Sequence, residues 1–157
     1  MNMKYKGLTL IELIVTLAVI STLLAYGVPQ FKSTTANSRM TAAINTLSGD
    51  FTFARTEAIK RGVNITVTGS ANWATSGWTV ASNISGAPAL RVTPALTGGA
   101  SIDTTPANTT SITFNPDGRS PTSVAFKLCD DRTGINSGKQ ITLNTTGQTF
   151  LETKQGC

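Results

Sequence analysis

The chain has no histidine. That removes Ser-His-Asp and Cys-His nucleophile arrangements and every imidazole metal ligand. It has only two cysteines, Cys129 and Cys157, with no CxxC spacing, so zinc or redox chemistry of that pattern is excluded as well. Charged residues make up only 13% of the chain and aromatic ones 6%. No phosphate-cradling glycine loop is present. The adjacent carboxylates Asp130 and Asp131 are followed by Arg132 and a Thr133-Gly134 turn, which reads as a solvated loop rather than an acid pair. No catalytic residue, metal or cofactor is implied. Trp73 and Trp78 could stack on bases in principle, but packing in a core or an interface is the reading that two isolated tryptophans favour.

One long apolar run is present, at the start. Met1–Gly7 is a short polar leader carrying Lys4 and Lys6, and Leu8–Val28 (LTLIELIVTLAVISTLLAYGV) follows. Twenty-one residues of helix suffice to cross a hydrocarbon layer of about 30 Å, and the leading lysines favour a cytoplasmic N-terminus. The remaining 129 residues are then expected on the opposite side, where the two cysteines pair rather than stay free. Closing that loop contributes about 3 kcal/mol in the chain-entropy picture and pins the C-terminus. One carboxylate, Glu12, interrupts the apolar run. It costs roughly 2.5–3.5 kcal/mol on insertion scales, so its retention implies a specific partner.

A basic leader, a glycine, an apolar helix and a glutamate five residues past that glycine together resemble the class III signal of type IV pilins. The resemblance implies cleavage after Gly7 by prepilin peptidase and N-methylation of Leu8, where the family more often has phenylalanine. It also implies a docking role for Glu12 against the amine of a neighbouring subunit. Pro29 is expected to kink the helix rather than end it.

Beyond Pro29, Met40, Ile44, Leu47, Phe51, Ala54 and Ala58 recur at helical spacing, forming one apolar stripe. Arg39, Asp50, Arg55, Glu57 and Lys60 are read as lying mostly off it. Arg61-Gly62 makes a helix stop. Within this helix, Phe51-Thr-Phe-Ala-Arg-Thr-Glu-Ala58 resembles the ALA-R-x-E-A segment of the GspH/FimT group of minor pilins and pseudopilins, matching at Ala54, Arg55, Glu57 and Ala58. Arg55 and Glu57 are read as contacts to the sheet or a neighbouring subunit.

After Gly62 the period becomes two. Strands are expected at 63–68, 77–80, 90–92, 111–114, 124–129 and 140–143, with turns at Asn115–Gly118 and Thr146-Gly147. Residues 82–110 read as a long loop around one short strand. The expected fold is α+β: a long N-terminal transmembrane-plus-amphipathic helix packed on an antiparallel β domain. Its parts are a leader (1–7), a transmembrane and assembly helix (8–28), an amphipathic helix (29–61) and a periplasmic β domain (62–157).

The resemblance implies a minor pilin of the FimT/FimU type. Such a chain sits first in the bacterial inner membrane, with other pilins and minor pilins as partners, and then joins the pilus fibre at or near its tip. Two alternatives stand beside it, a GspH-like pseudopilin of type II secretion and a FimT-like DNA receptor for transformation. Some members of the FimT branch bind DNA through a Gly-Arg-x-Arg motif. The corresponding turn here, Gly147-Gln148-Thr149-Phe150, lacks both arginines, which leaves Arg119, Lys127, Arg132, Lys139 and Lys154 as the cations a DNA site would have to gather.

Overall fold

The computed structural model describes residues 9–70, 72–131 and 138–155, with backbone alone at Pro29 and over 153–155. It divides into two compact units, Met1–Thr35 and Ala36–Cys157. Helix α1 spans Leu10–Arg61. It begins at Thr9, whose hydroxyl accepts the Glu12 backbone N–H at 3.3 Å, an N-cap that satisfies one of the free donors of the first turn. It remains helical through Pro29. It stops where Gly62 turns to φ +64, in the left-handed region that glycine enters at no steric cost, while the Gly62 N–H still reaches the Ala58 carbonyl at 3.0 Å.

In the first unit the helix is apolar on every side. Leu13, Leu17 and Leu24 are each more than half exposed, as are Leu10, Ile11 and Leu23. The helix is long and apolar enough to cross a membrane. Its hydroxyls fold back onto the helix itself: Thr16 donates to the Leu13 carbonyl, Ser21 to Leu17 and Thr22 to Val19, at 2.7–2.8 Å. Each of these three hydroxyls is thereby satisfied without water, as a hydrocarbon surrounding demands.

The second unit contains the core. Met40, Ile44, Leu47, Phe51, Ala54 and Ala58 are all 3% exposed or less, so the stripe read from spacing is the buried face of the helix. It packs among the inner faces of two four-stranded antiparallel sheets. The first has the order β3-β2-β1-β5 and comprises β1 (Ile65–Gly69), β2 (Trp78–Ser82), β3 (Arg91–Thr93) and β5 (Ser111–Phe114). The second has the order β4-β6-β7-β8 and comprises β4 (Ser101–Thr105), β6 (Val124–Cys129), β7 (Gly138–Leu143) and β8 (Thr149–Gln155). A single turn, α2 (Trp73–Ser76), precedes β2 and is capped by the Asn72 side chain. Phe51 is the centre of an aromatic cluster, with ring centroids 6.4 Å from Trp73, 6.3 Å from Phe114 and 5.2 Å from Phe126. Spacings of this kind suit edge and tilted packing.

The segment 82–110 departs from the expected loop. It carries two strands, β3 and β4. The sequence of β4, Ser-Ile-Asp-Thr-Thr, has only one large apolar residue, and Thr104 fills the second inward position (with Ile102, it is buried). A buried threonine supplies half of the alternation, which is why the period-two signal was faint.

Candidate functional site

Glu12 occupies the first turn of α1, where a carboxylate also complements the helix dipole. Its side chain has no ion pair or hydrogen bond among the described residues, and the positions on both sides of it are exposed. Thr9-Leu-Ile-Glu12 is also the sequence of a capping box, a local role the spacing allowed and the reading from cost alone overlooked. Gly7 and Leu8, the expected cleavage and methylation positions, lie outside the described residues.

The other carboxylate of note on α1 is Asp50, which is 1% exposed. The expectation that it falls off the apolar stripe is corrected. It stands three residues after Leu47 and four before Ala54, on the flank of the buried face, and that spacing was available in the sequence. Burial is possible because its oxygens are fully engaged. Oδ2 accepts from Trp78 Nε1 and Thr93 Oγ1, both at 2.7 Å, and Oδ1 accepts from Arg91 Nη1 at 2.6 Å. The Arg91 guanidinium also lies over the Phe53 ring, 4.2 Å from its centroid. One side chain thus fastens α1 to β2 and β3, and β3 is a strand of three residues with little burial of its own.

The Ala-Arg-x-Glu-Ala segment performs two jobs. Arg55 Nε donates to the Gly118 carbonyl at 2.9 Å, tying the helix to the turn after β5. That turn, closed by the Gly118 N–H on the Asn115 carbonyl, packs against the one at Asn144–Gly147. Gly147 has φ +77, and a Cβ there would collide with the Gly118 carbonyl oxygen, so glycine is required for both reasons. Glu57 is nearly buried and pairs with Arg61 and Lys60 along the helix. Both residues stabilise the domain from within.

Trp73 and Trp78 are 0% and 2% exposed. They belong to the core, and neither offers a face to a base. The cations considered for a DNA surface do not gather, as far as they are described. Lys127 faces Asp103 on one side and Gln140 on the other, and Gln140 in turn faces Glu152. Lys127 therefore sits in a cross-strand row with two carboxylates. Lys139 pairs with Leu128 and follows the opposite face. Arg119 is exposed in the turn after β5. Arg132 and the side chain of Lys154 lie outside the described residues. Cys129 ends β6, is 8% exposed and is not a free thiol; Cys157 is outside the described residues. No three Asp, Glu or Cys side chains come together among the described residues.

Comparison with known proteins agrees with this architecture. The family described as type II transport protein GspH matches residues 43–147, and the prokaryotic N-terminal methylation motif matches residues 2–27. No curated protein matches the chain significantly. Among solved structures, the type IV minor pilin FimU of Pseudomonas aeruginosa (strain PAO1) is similar in two crystal forms. The form in space group P21 has a TM-score of 0.66 at 21% identity, covering 78% of this chain and 98% of that one. The form in P65 has a TM-score of 0.62 at 22% identity, covering 74% and 98%. At that identity the likeness speaks to the fold.

Proposed function

This chain belongs to the GspH family, the minor pilins and pseudopilins of type IV pili and type II secretion, and from that premise we propose that it is a minor pilin acting in type IV pilus assembly, at or near the fibre tip. What carries the reading is the joining of two unlike parts. A domain with its own core is continuous in sequence with a helix that no part of the described chain covers, and that helix bears the methylation motif. The likeness in fold to a type IV minor pilin favours the pilus over the secretion branch.

In this reading the leader is removed after Gly7, and Leu8 becomes the methylated first residue. The apolar helix holds the chain in the inner membrane with the β domain in the periplasm until extraction into the fibre. Glu12 meets the terminal amine of an adjacent subunit, which removes the cost of a lone charge in lipid and fixes axial register. The pairing of Cys129 with Cys157 fastens the C-terminal segment to β6. Support for that pairing is that Cys129 is not free and that the sequence holds one other cysteine.

Deleting the gene and scoring surface piliation, twitching and exoprotein secretion tests the assignment. Lost piliation and twitching with normal secretion is the expected result. Normal piliation with impaired secretion would move the chain to the pseudopilin branch.

A further inference from the structure

We propose that a groove beside α1 in the domain Ala36–Cys157 holds one phospholipid whose headgroup carries both a phosphate and an ammonium. The inference rests on the reading of the chain as held in the membrane before it enters the fibre.

The groove lies between the start of this domain's helix and the loop leading from β3 to β4, and its volume is about 540 Å³. Ala36, Met40 and Ala43 line it from the helix and Pro94, Leu96 and Ala100 from the loop, so its bed is apolar. Both walls are fixed by the fold. Met40 is 3% exposed and belongs to the core, and the Leu96 N–H donates to the Ala74 carbonyl at 2.7 Å. At the root of the loop, a Cβ on Gly77 would lie 2.1 Å from the Thr93 carbonyl oxygen, a contact that only glycine allows. A cleft built this way is largely formed before any ligand arrives, as small-molecule sites usually are.

Two opposite charges stand at its mouth. Arg39 and Asp131 both line the groove, and both are exposed. They reach adjacent glycines: a Cβ on Gly98 would lie 3.2 Å from Arg39 Nη1, and one on Gly99 would lie 3.2 Å from Asp131 Oδ2. Yet no ion pair joins them, and neither is in an ion pair with another described residue. A guanidinium and a carboxylate set side by side but unpaired complement a zwitterion. The first takes a phosphate and the second an ammonium, both through charge-assisted hydrogen bonds. A purely anionic headgroup would meet Asp131 unfavourably.

Apolar bed and two-signed mouth together match a phospholipid, with an acyl chain below and the headgroup above. The anchor supplies it. Arg39 comes eleven residues after Val28, the end of the apolar run, and eleven residues span about 40 Å at most. An anchored chain therefore keeps the groove within reach of the lipid surface.

The test puts a bimane label at Thr97→Cys, on the loop wall of the groove, in the full-length chain. The vesicles hold equal parts phosphatidylethanolamine and phosphatidylglycerol, the second having the phosphate without the ammonium. Bromine on the acyl chains of one lipid or the other quenches the label on contact. Quenching at Thr97 is expected to be several-fold stronger when phosphatidylethanolamine carries the bromine. A label at Ile84→Cys, exposed elsewhere on the domain, is expected to stay unquenched with either. Arg39→Glu and Asp131→Lys should each remove most of the Thr97 quenching, with the domain unfolding as in the wild type. Equal quenching by the two lipids, or no difference between Thr97 and Ile84, overturns the proposal. So does a Thr97 label that is unquenched in vesicles and shielded only in sheared fibres, which would give the groove to a neighbouring pilin. A label at Leu17→Cys, in the apolar run, should be quenched by both lipids alike. If it is, failure at Thr97 counts against the groove alone; if it is not, the membrane reading itself fails.

Discussion

Two carboxylates on α1 have opposite fates. Asp50 is buried and has three donors from its own chain. Glu12 lies in an apolar stretch and its side chain has no partner among the described residues. The segments around them differ in the same way. From Met40 to Ala58 the apolar residues keep to one stripe and are buried by the sheets. From Leu10 to Val28 they surround the helix, and every large one is about half exposed or more. A one-sided stripe can be satisfied by one domain, whereas an all-round apolar surface needs lipid or other helices. Where a helix hides its apolar atoms therefore tells which of its charges are answered within the chain and which await another.

Mutation should separate the two regions. Asp50→Ala leaves the buried Trp78 indole N–H and the Thr93 hydroxyl without their acceptor, while the half-exposed Arg91 regains water, and is expected to destabilise the domain by about 2–4 kcal/mol, read from denaturant unfolding of the chain. Phe51→Ala removes the centre of the aromatic cluster and should cost about 3–4 kcal/mol in the same measurement. Leu17→Ala, equally apolar and on the same helix, should not change the unfolding of that domain when the full-length chain is unfolded in detergent. An effect of Leu17 comparable to that of Phe51 would break the distinction. On the proposed pairing of Cys129 with Cys157, Cys157→Ser and Cys129→Ser should lower stability by the same amount, about 3 kcal/mol.

Much of this was legible in the sequence because its signals were redundant. The helical stripe repeats six times, and Ser111–Phe114 and Val124–Cys129 alternate cleanly enough to give their strand limits. Where the signal depended on polar residues turned inward, it faded. Asp50 was set aside because a carboxylate looks like a surface residue until its three donors, drawn from strands 28 to 43 residues away, are seen together. The same holds for β4, whose inward Thr104 mimics a loop residue. Glu12 was legible for the opposite reason, since a charge stands out wherever its surroundings are uniformly apolar.

Smaller effects sharpen the comparison further. Arg55→Ala removes the bond to the Gly118 carbonyl and should cost about 1–2 kcal/mol; the two packed turns should then exchange amide hydrogens faster while the core strands do not. The smallest effect is expected for DNA. Lys127 shares its row with Asp103 and Glu152, and the tryptophans are buried. Residues 36–157 should therefore leave the electrophoretic mobility of duplex DNA unchanged at low salt, where phosphate contacts are strongest.

The central claim is that Glu12 serves assembly and not folding, and sheared fibres measure it most directly. In a strain expressing Glu12→Ala, the chain should be present in membranes, trimmed at Gly7, with residues 36–157 unfolding as in the wild type, and it should be missing from the fibre fraction. Recovery of Glu12→Ala in sheared fibres at the wild-type level would contradict the account.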